Sequence, residues 1–219
     1  MLFSFDQFTA LNRLLGGLWR LILLNLLWTG VTLLGLGVLG IGPASYALAR
    51  YLDRWIRHGE TPPTVRTFWR DAREQLPASM AMGALLLGAG AVIGVNLLSL
   101  TDWYLRAANH LALGVLLLIG GFVFAVMAST EVRGVRRRIS AALLLGLGSL
   151  HRTILGAAAV IVLELLMARF AVALLPLLGA VLPALAVALI LRPVLTELTE
   201  PADPADPAEK PRALAPAPS

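Results

Sequence analysis

The sequence predicts an all-α, polytopic membrane protein, and three observations carry that reading. No Asp, Glu, Lys or Arg occurs from Leu21 to Ala49, from Gln75 to Thr101 or from Ala107 to Thr130, and Thr153 to Leu191 is interrupted only by Glu164 and Arg169. About 20 apolar helical residues cross a hydrocarbon core of roughly 30 Å. The composition agrees: 58% of residues are hydrophobic and 14% charged, with a mean hydropathy of +0.80, against about 25% charged in an ordinary soluble domain. Finally, the net charge of +5 comes from arginines at the ends of the apolar runs. That distribution marks loops facing the cytoplasm rather than a nucleic-acid surface.

The elements follow in order. Leu21 to Ala49, about 29 residues, would make one helix of about 43 Å, too long for a simple crossing. Within it, Gly40-Ile41-Gly42-Pro43 is a helix break, because proline lacks an N–H and glycine lowers helix propensity. A first span is expected from about Leu21 to Leu39, then a tight turn, then a second helix from Pro43 to Trp55 whose Arg50 and Arg54 snorkel to the far interface. The third span is Pro77 to Leu100, ending at Thr101-Asp102-Trp103-Tyr104, where an aromatic pair suits the membrane–water boundary. The fourth runs from about Ala107 to Ser129 and stops at the basic cluster Arg133 to Arg138. Thr153 to Leu191 must fold back once, with Pro176, Gly179 and Pro183 at the turn.

Six spans with both termini inside place all the arginines except Arg106 and Arg169 on the cytoplasmic side. Five spans would move Arg13 and Arg20 outside, so the positive-inside rule favours six. The apolar run is longer than the h-region of a signal peptide, so no cleaved leader is expected. Residues 1–198 form a single transmembrane domain, and the Pro/Ala-rich segment 199–219 is expected to be a disordered tail.

Three spans are preceded by amphipathic segments of helical spacing. These are Phe5, Phe8, Leu11, Leu15 and Leu18; Val65, Phe68, Trp69, Ala72 and Leu76; and Ile139, Leu143, Leu147, Leu150 and Ile154. Thr61 is placed to cap the second, with Pro62 at the first helical position. Such helices lie in the interface with their apolar faces toward the acyl chains. The pattern suggests three units, each an interfacial helix followed by a two-span hairpin, starting near Phe5, Thr64 and Ile139.

Leu23-Leu24-Asn25-Leu26-Leu27-Trp28 opens the first span; Gly40-Ile41-Gly42-Pro43-Ala44-Ser45-Tyr46-Ala47-Leu48 follows, and then Phe68-Trp69-Arg70 leading to Gln75. From Leu18 to about Leu98 this order resembles the YesL-like family of small bacterial membrane proteins, a domain of unknown function (624). The family's turn is typically of a Thr-Ile-Gly-Ala-Ser type; here Pro43 follows Gly42, a departure from that pattern. The resemblance implies a protein of the bacterial cytoplasmic membrane, often associated with carbohydrate uptake of the ABC type, and it supplies no catalytic residues.

The chain has no cysteine, which excludes disulfides, thiol nucleophiles and Cys-based metal sites. His58, His110 and His151 have no metal-ligand spacing, and no zinc-protease, P-loop or nucleophile-elbow motif occurs. No metal, cofactor or nucleic acid is therefore expected. Gly90-x-x-x-Gly94 fits close helix packing. Glu164, within the fifth span, is costly as an ion and should face the bundle or water. Asn25 and Asn96 are further intramembrane polar groups, able to line a cavity or to join helices. Arg133, Arg136, Arg137 and Arg138 could contact anionic lipid headgroups or hold their loop inside. Arg66, Arg70 and Arg73, interleaved with Asp71 and Glu74, form a solvated face or a docking surface. The expected function is a non-enzymatic accessory to a transport system, with membrane lipids and ABC permease subunits as partners. The alternative is a small secondary transporter or channel using Glu164, Asn25 and Asn96.

Overall fold

The computed structural model describes residues 5–132 and 134–199, and it is helical throughout apart from turns and short connections. The helices are α1 (Phe5–Leu34), α2 (Ile41–His58), α3 (Thr64–Glu74), α4 (Leu76–Ser99), α5 (Trp103–Ser129), α6 (Val135–Gly148) and α7 (Leu150–Phe170). A 3₁₀ turn (Val172–Leu174), the short α8 (Leu175–Leu178) and α9 (Val181–Thr199) follow. The expected tail lies outside the described residues, except that α9 runs on to Thr199 where the tail was to begin.

Among the described residues, four helical segments are long and apolar enough to span a bilayer: Leu11–Leu34, Leu76–Ser99, Trp103–Ser129 and Leu150–Phe170. The pair Val172–Leu178 and Val181–Thr196, bent by 52°, makes a fifth if it is one broken span. α2 fails that test because it carries arginines and an aspartate, yet it is the most enclosed helix of the bundle. It packs against α1, α3, α4, α5 and α9, and Ala44, Tyr46, Ala47, Tyr51 and Leu52 are completely buried. A helix surrounded by protein need not be apolar all round to lie among spans, because its polar groups meet other helices rather than lipid.

The first turn of the chain differs from expectation. α1 ends at Leu34, and the turn occupies residues 35–40, where Leu36 and Gly37 take left-handed conformations (φ 54° and 77°). Gly40-Ile41-Gly42-Pro43 instead starts α2, because proline in a first turn gives up an N–H that has no intrahelical partner anyway. Gly42 and Gly83 serve a close crossing. A Cβ on Gly42 would strike the Ser79 carbonyl of α4, and one on Gly83 would lie 2.8 Å from the Gly42 Cα. Association in lipid relies on such packing, since lipid chains are as apolar as the side chains they would displace. The close approach therefore sits at Gly42–Gly83 and not at Gly90 and Gly94: a Cβ on Gly94 would meet nothing within 4 Å.

The three amphipathic segments do not share one path. The first continues into its span as the single helix α1, whereas breaks at Gln75 and Ser149 separate α3 from α4 and α6 from α7. Pro77 cannot donate to Arg73, which stops α3. At the second joint Ser149 Oγ donates to the Leu145 carbonyl (2.7 Å), a local bond that competes with the helical pattern. α3 starts at Thr64, with Pro63 and not Thr61 at its cap position and no side-chain cap. Thr61 and Pro62 each precede a proline, which holds them extended. The stripe expected to face acyl chains also divides: Phe68 and Ala72 are buried in the core with Tyr51 and Leu52 of α2, while Val65, Trp69 and Leu76 are exposed.

Candidate functional site

The ion pairs among the described residues all lie on α2 and α3, at the end of the bundle where α2 finishes, α3 crosses and α5 hands over to α6. Arg50, Arg54 and Arg57 recur at four and three residues on α2, and Asp71 and Glu74 at three on α3; such spacings put each set on one helix face. Because α3 runs back along α2, the two faces form a ladder. Arg54 pairs with Asp71, and Arg50 Nη2 lies 3.1 Å from Glu74 Oε1. Arg57 pairs with Asp53 within α2 (2.8 Å). Asp71, expected on a solvated face, has a fully buried side chain. A buried carboxylate needs such a partner, because leaving either charge alone in a low dielectric is strongly unfavourable.

Further contacts fix this end. The Tyr51 hydroxyl donates to the Pro62 carbonyl (3.2 Å) and lies 3.0 Å from Thr64 Oγ1, holding the connection between α2 and α3. Arg50 Nη1 donates to the Tyr46 hydroxyl (2.7 Å). From α6, Arg138 donates through Nη2 to Gln75 Oε1 (2.8 Å) and through Nε to the Val132 carbonyl (2.9 Å). Arg138, expected with its neighbours either to contact lipid headgroups or to hold their loop inside, is only 8% exposed; it fastens α6 to the α3–α4 joint. Arg136 and Arg137 are exposed, and Arg133 lies outside the described residues. Arg66, Arg70 and Arg73 are exposed, Arg73 over the ring of Trp69 at 4.8 Å.

Two cavities adjoin this cluster. One, of about 570 Å³, is bordered by Arg50, Glu74, Gln75, Glu131 and Arg138, two guanidiniums and two carboxylates. The other, about 530 Å³, is a cleft between α2, α4, α5 and α9. Its walls are apolar, with Leu86, Phe124 and Val187 among them, and Asp53, Arg57 and Arg192 give it a polar rim.

The three intramembrane polar residues named from sequence are not brought together, and neither cavity is lined by any of them. Asn25, 2% exposed, accepts through Oδ1 from the Ala180 and Val181 N–H groups (2.9 Å each) and donates through Nδ2 to the Pro176 carbonyl (2.8 Å). It thus satisfies the backbone exposed by the break between α8 and α9, a requirement wherever a helix is interrupted away from water. Asn96 donates to Asn109 Oδ1 on α5 (3.3 Å). Glu164 shares the α7 stripe of Thr153, Gly156, Val160 and Met167, the less exposed face of that helix; a Cβ on Gly156 would lie 3.0 Å from Ile190 of α9. Glu164 is half-buried and makes no hydrogen bond or ion pair among the described residues. No group of three or more metal-ligating side chains occurs among the described residues.

Sequence reasoning missed the Arg54–Asp71 pair, the Arg138–Gln75 bond and the cleft. A signal existed for the first: basic residues at i, i+4, i+7 on one helix and acidic residues at i, i+3 on the next, joined by a short polar connection. No comparable signal marked Gln75 and Arg138, which stand 63 residues apart.

Residues 21–97 match a family described as a protein of unknown function, DUF624. The chain is also similar to the uncharacterized protein YteU of Bacillus subtilis (strain 168), 37% identical over 106 residues, which cover 47% of this chain and 45% of that protein. No solved structure matches. The residues carrying the resemblance have structural tasks: Asn25 closes the α8–α9 break, Trp28 Nε1 donates to Ser45 Oγ (3.1 Å), Gly42 admits α4, and Gln75 receives Arg138.

Proposed function

We propose that this protein is a non-catalytic accessory subunit of the bacterial cytoplasmic membrane, docking through its arginine-rich end onto the permease subunits of an ABC-type carbohydrate uptake system. The reading takes six spans (α1, α2, α4, α5, α7 and α9 with α8), both termini cytoplasmic, and α3 and α6 at the cytoplasmic interface. α2 is 18 residues long, about 27 Å at 1.5 Å per residue, close to the roughly 30 Å of a hydrocarbon core, and the arginines toward its end are paired with Asp53, Asp71 and Glu74.

The observation that carries the docking role is the two-sided character of α3. Its inner face is fastened to α2 by Phe68, Ala72 and the Arg54–Asp71 pair. Arg66, Arg70, Arg73 and the exposed Trp69 are thereby held on the outer face. A basic surface with an aromatic, on a helix fastened by its other face, is a composition that interfaces favour, since little backbone order remains to be imposed on binding. The carbohydrate association rests on family resemblance alone. The test is purification from native membranes in mild detergent, after growth on several sugars. Stoichiometric permease subunits, lost when Arg66, Arg70 and Arg73 are changed to Glu, support the reading; a homomer without permease refutes it.

A second reading, a small secondary transporter or channel, draws on Glu164, whose carboxyl is unpartnered among the described residues. Reconstituted vesicles separate the two: flux abolished by Glu164→Gln with folding intact favours transport, whereas the accessory reading expects no flux.

A further inference from the structure

We propose that the cleft between α2, α4, α5 and α9 holds one acyl chain of an anionic phospholipid, with the lipid phosphate against Arg192 and Arg57 beside it. At about 530 Å³ the cleft lies within the roughly 300–1,000 Å³ range of ligand sites. A transmembrane helix, some 10–12 Å across, would need several times that space. Water is a poor occupant, because a buried water needs two to four polar partners and the walls are apolar, with Leu48, Leu86, Leu117, Phe124 and Val187 among them. A single hydrocarbon chain meets both limits.

The rim sets the headgroup. Arg57 lines the cleft with Asp53, to which it gives one arm. Arg192 makes no side-chain hydrogen bond or ion pair among the described residues. Two guanidiniums against one carboxylate leave a net positive edge with free donors, and phosphate oxygens match guanidinium geometry. A zwitterionic headgroup would bring its own cation to an edge already positive.

Trp28 lines the cleft and reports its occupant. A variant with Trp19, Trp55, Trp69 and Trp103 replaced by Phe keeps it as the sole tryptophan, excited apart from the tyrosines at the red edge of the band. Titration of the purified full chain in dodecyl maltoside with dibrominated phosphatidylglycerol is expected to quench Trp28 to saturation, while dibrominated phosphatidylcholine does not saturate over the same range. Arg192→Gln, at an exposed position, is expected to raise the half-saturating concentration at least ~5-fold. Gly121→Leu grows a side chain toward Val187 and is expected to abolish saturable quenching with helicity unchanged; if it aggregates, Arg192→Gln decides. Equal quenching by the two lipids, no effect of Arg192→Gln, no quenching at all, or tighter saturation by brominated oleic acid than by the phospholipid would each overturn the proposal.

Discussion

Asn25 and Val181, 156 positions apart, are joined at the point where the last helix begins: the Asn25 side-chain oxygen accepts the Val181 N–H at 2.9 Å. The same oxygen takes the Ala180 N–H, and the Asn25 amide reaches back to the Pro176 carbonyl. One side chain on α1 therefore closes both sides of the α8–α9 break. Asn25→Leu would leave two donors and an acceptor unsatisfied, at about 1–3 kcal/mol each. The expected result is a fall of several degrees or more in the thermal aggregation midpoint in detergent. A midpoint equal to wild type would show that the break finds other partners.

Arg54 and Asp71 offer a double-mutant cycle. Asp71→Leu alone strands the Arg54 guanidinium, and Arg54→Met alone leaves the buried Asp71 with only Arg70 at 3.5 Å; each is expected to cost about 3–5 kcal/mol. Arg54→Met with Asp71→Leu should cost clearly less than the two single changes together. Because the Asp71 side chain is fully buried, raising salt should alter these differences little. Additive losses would mean that the two side chains act independently.

The α2–α4 crossing predicts a contrast between glycines. Gly42→Leu and Gly83→Val place side chains against the backbone of the facing helix and should prevent recovery of monodisperse protein. Gly94→Ala, with open space around its Cβ, should stay within about 0.5 kcal/mol of wild type. The yield of monodisperse protein by size exclusion reads both.

Gln75→Ala and Arg138→Met test the bond between the first and second halves of the chain. Each should destabilise, and their coupling should fall in the range of about 0.5–3 kcal/mol expected for direct partners. Exchanging the exposed Arg136 and Arg137 for Gln is expected to change stability by no more than about 0.5 kcal/mol. Similar losses at all three arginines would indicate that the loop acts through charge alone.

Arg66→Ala, Arg70→Ala and Arg73→Ala together should change the melting profile little, since all three side chains are exposed and Asp71, which Arg70 approaches at 3.5 Å, keeps its pair with Arg54. Permease recovery from native membranes should fall sharply for the same triple variant. A large loss of stability would instead assign these arginines to the fold.

Much of the architecture was legible in residue order because hydrocarbon imposes simple rules. Long uncharged runs, Pro77 at the head of α4 and the prolines near residue 180 mark where helices lie and where they turn. The candidate site was legible only in its parts. Arg66, Arg70 and Arg73 are exposed as expected, while Asp71 beside them is buried, because one α3 face meets α2 and the other does not. Arg138 looked like Arg136 and Arg137 until α6 was set against Gln75.

Local sequence determined that this chain is helical, apolar and basic at the ends of its segments, since each of those properties depends on residues within a turn or a span of one another. Tertiary structure decided which polar groups are spent on the fold and which stay free. Asn25 is committed to a break more than 150 residues away, whereas Arg192 and Glu164 make no ion pair or hydrogen bond among the described residues. Satisfying a buried polar group depends on what packs against it, and in a helical bundle that neighbour is set by how helices cross and not by distance along the chain.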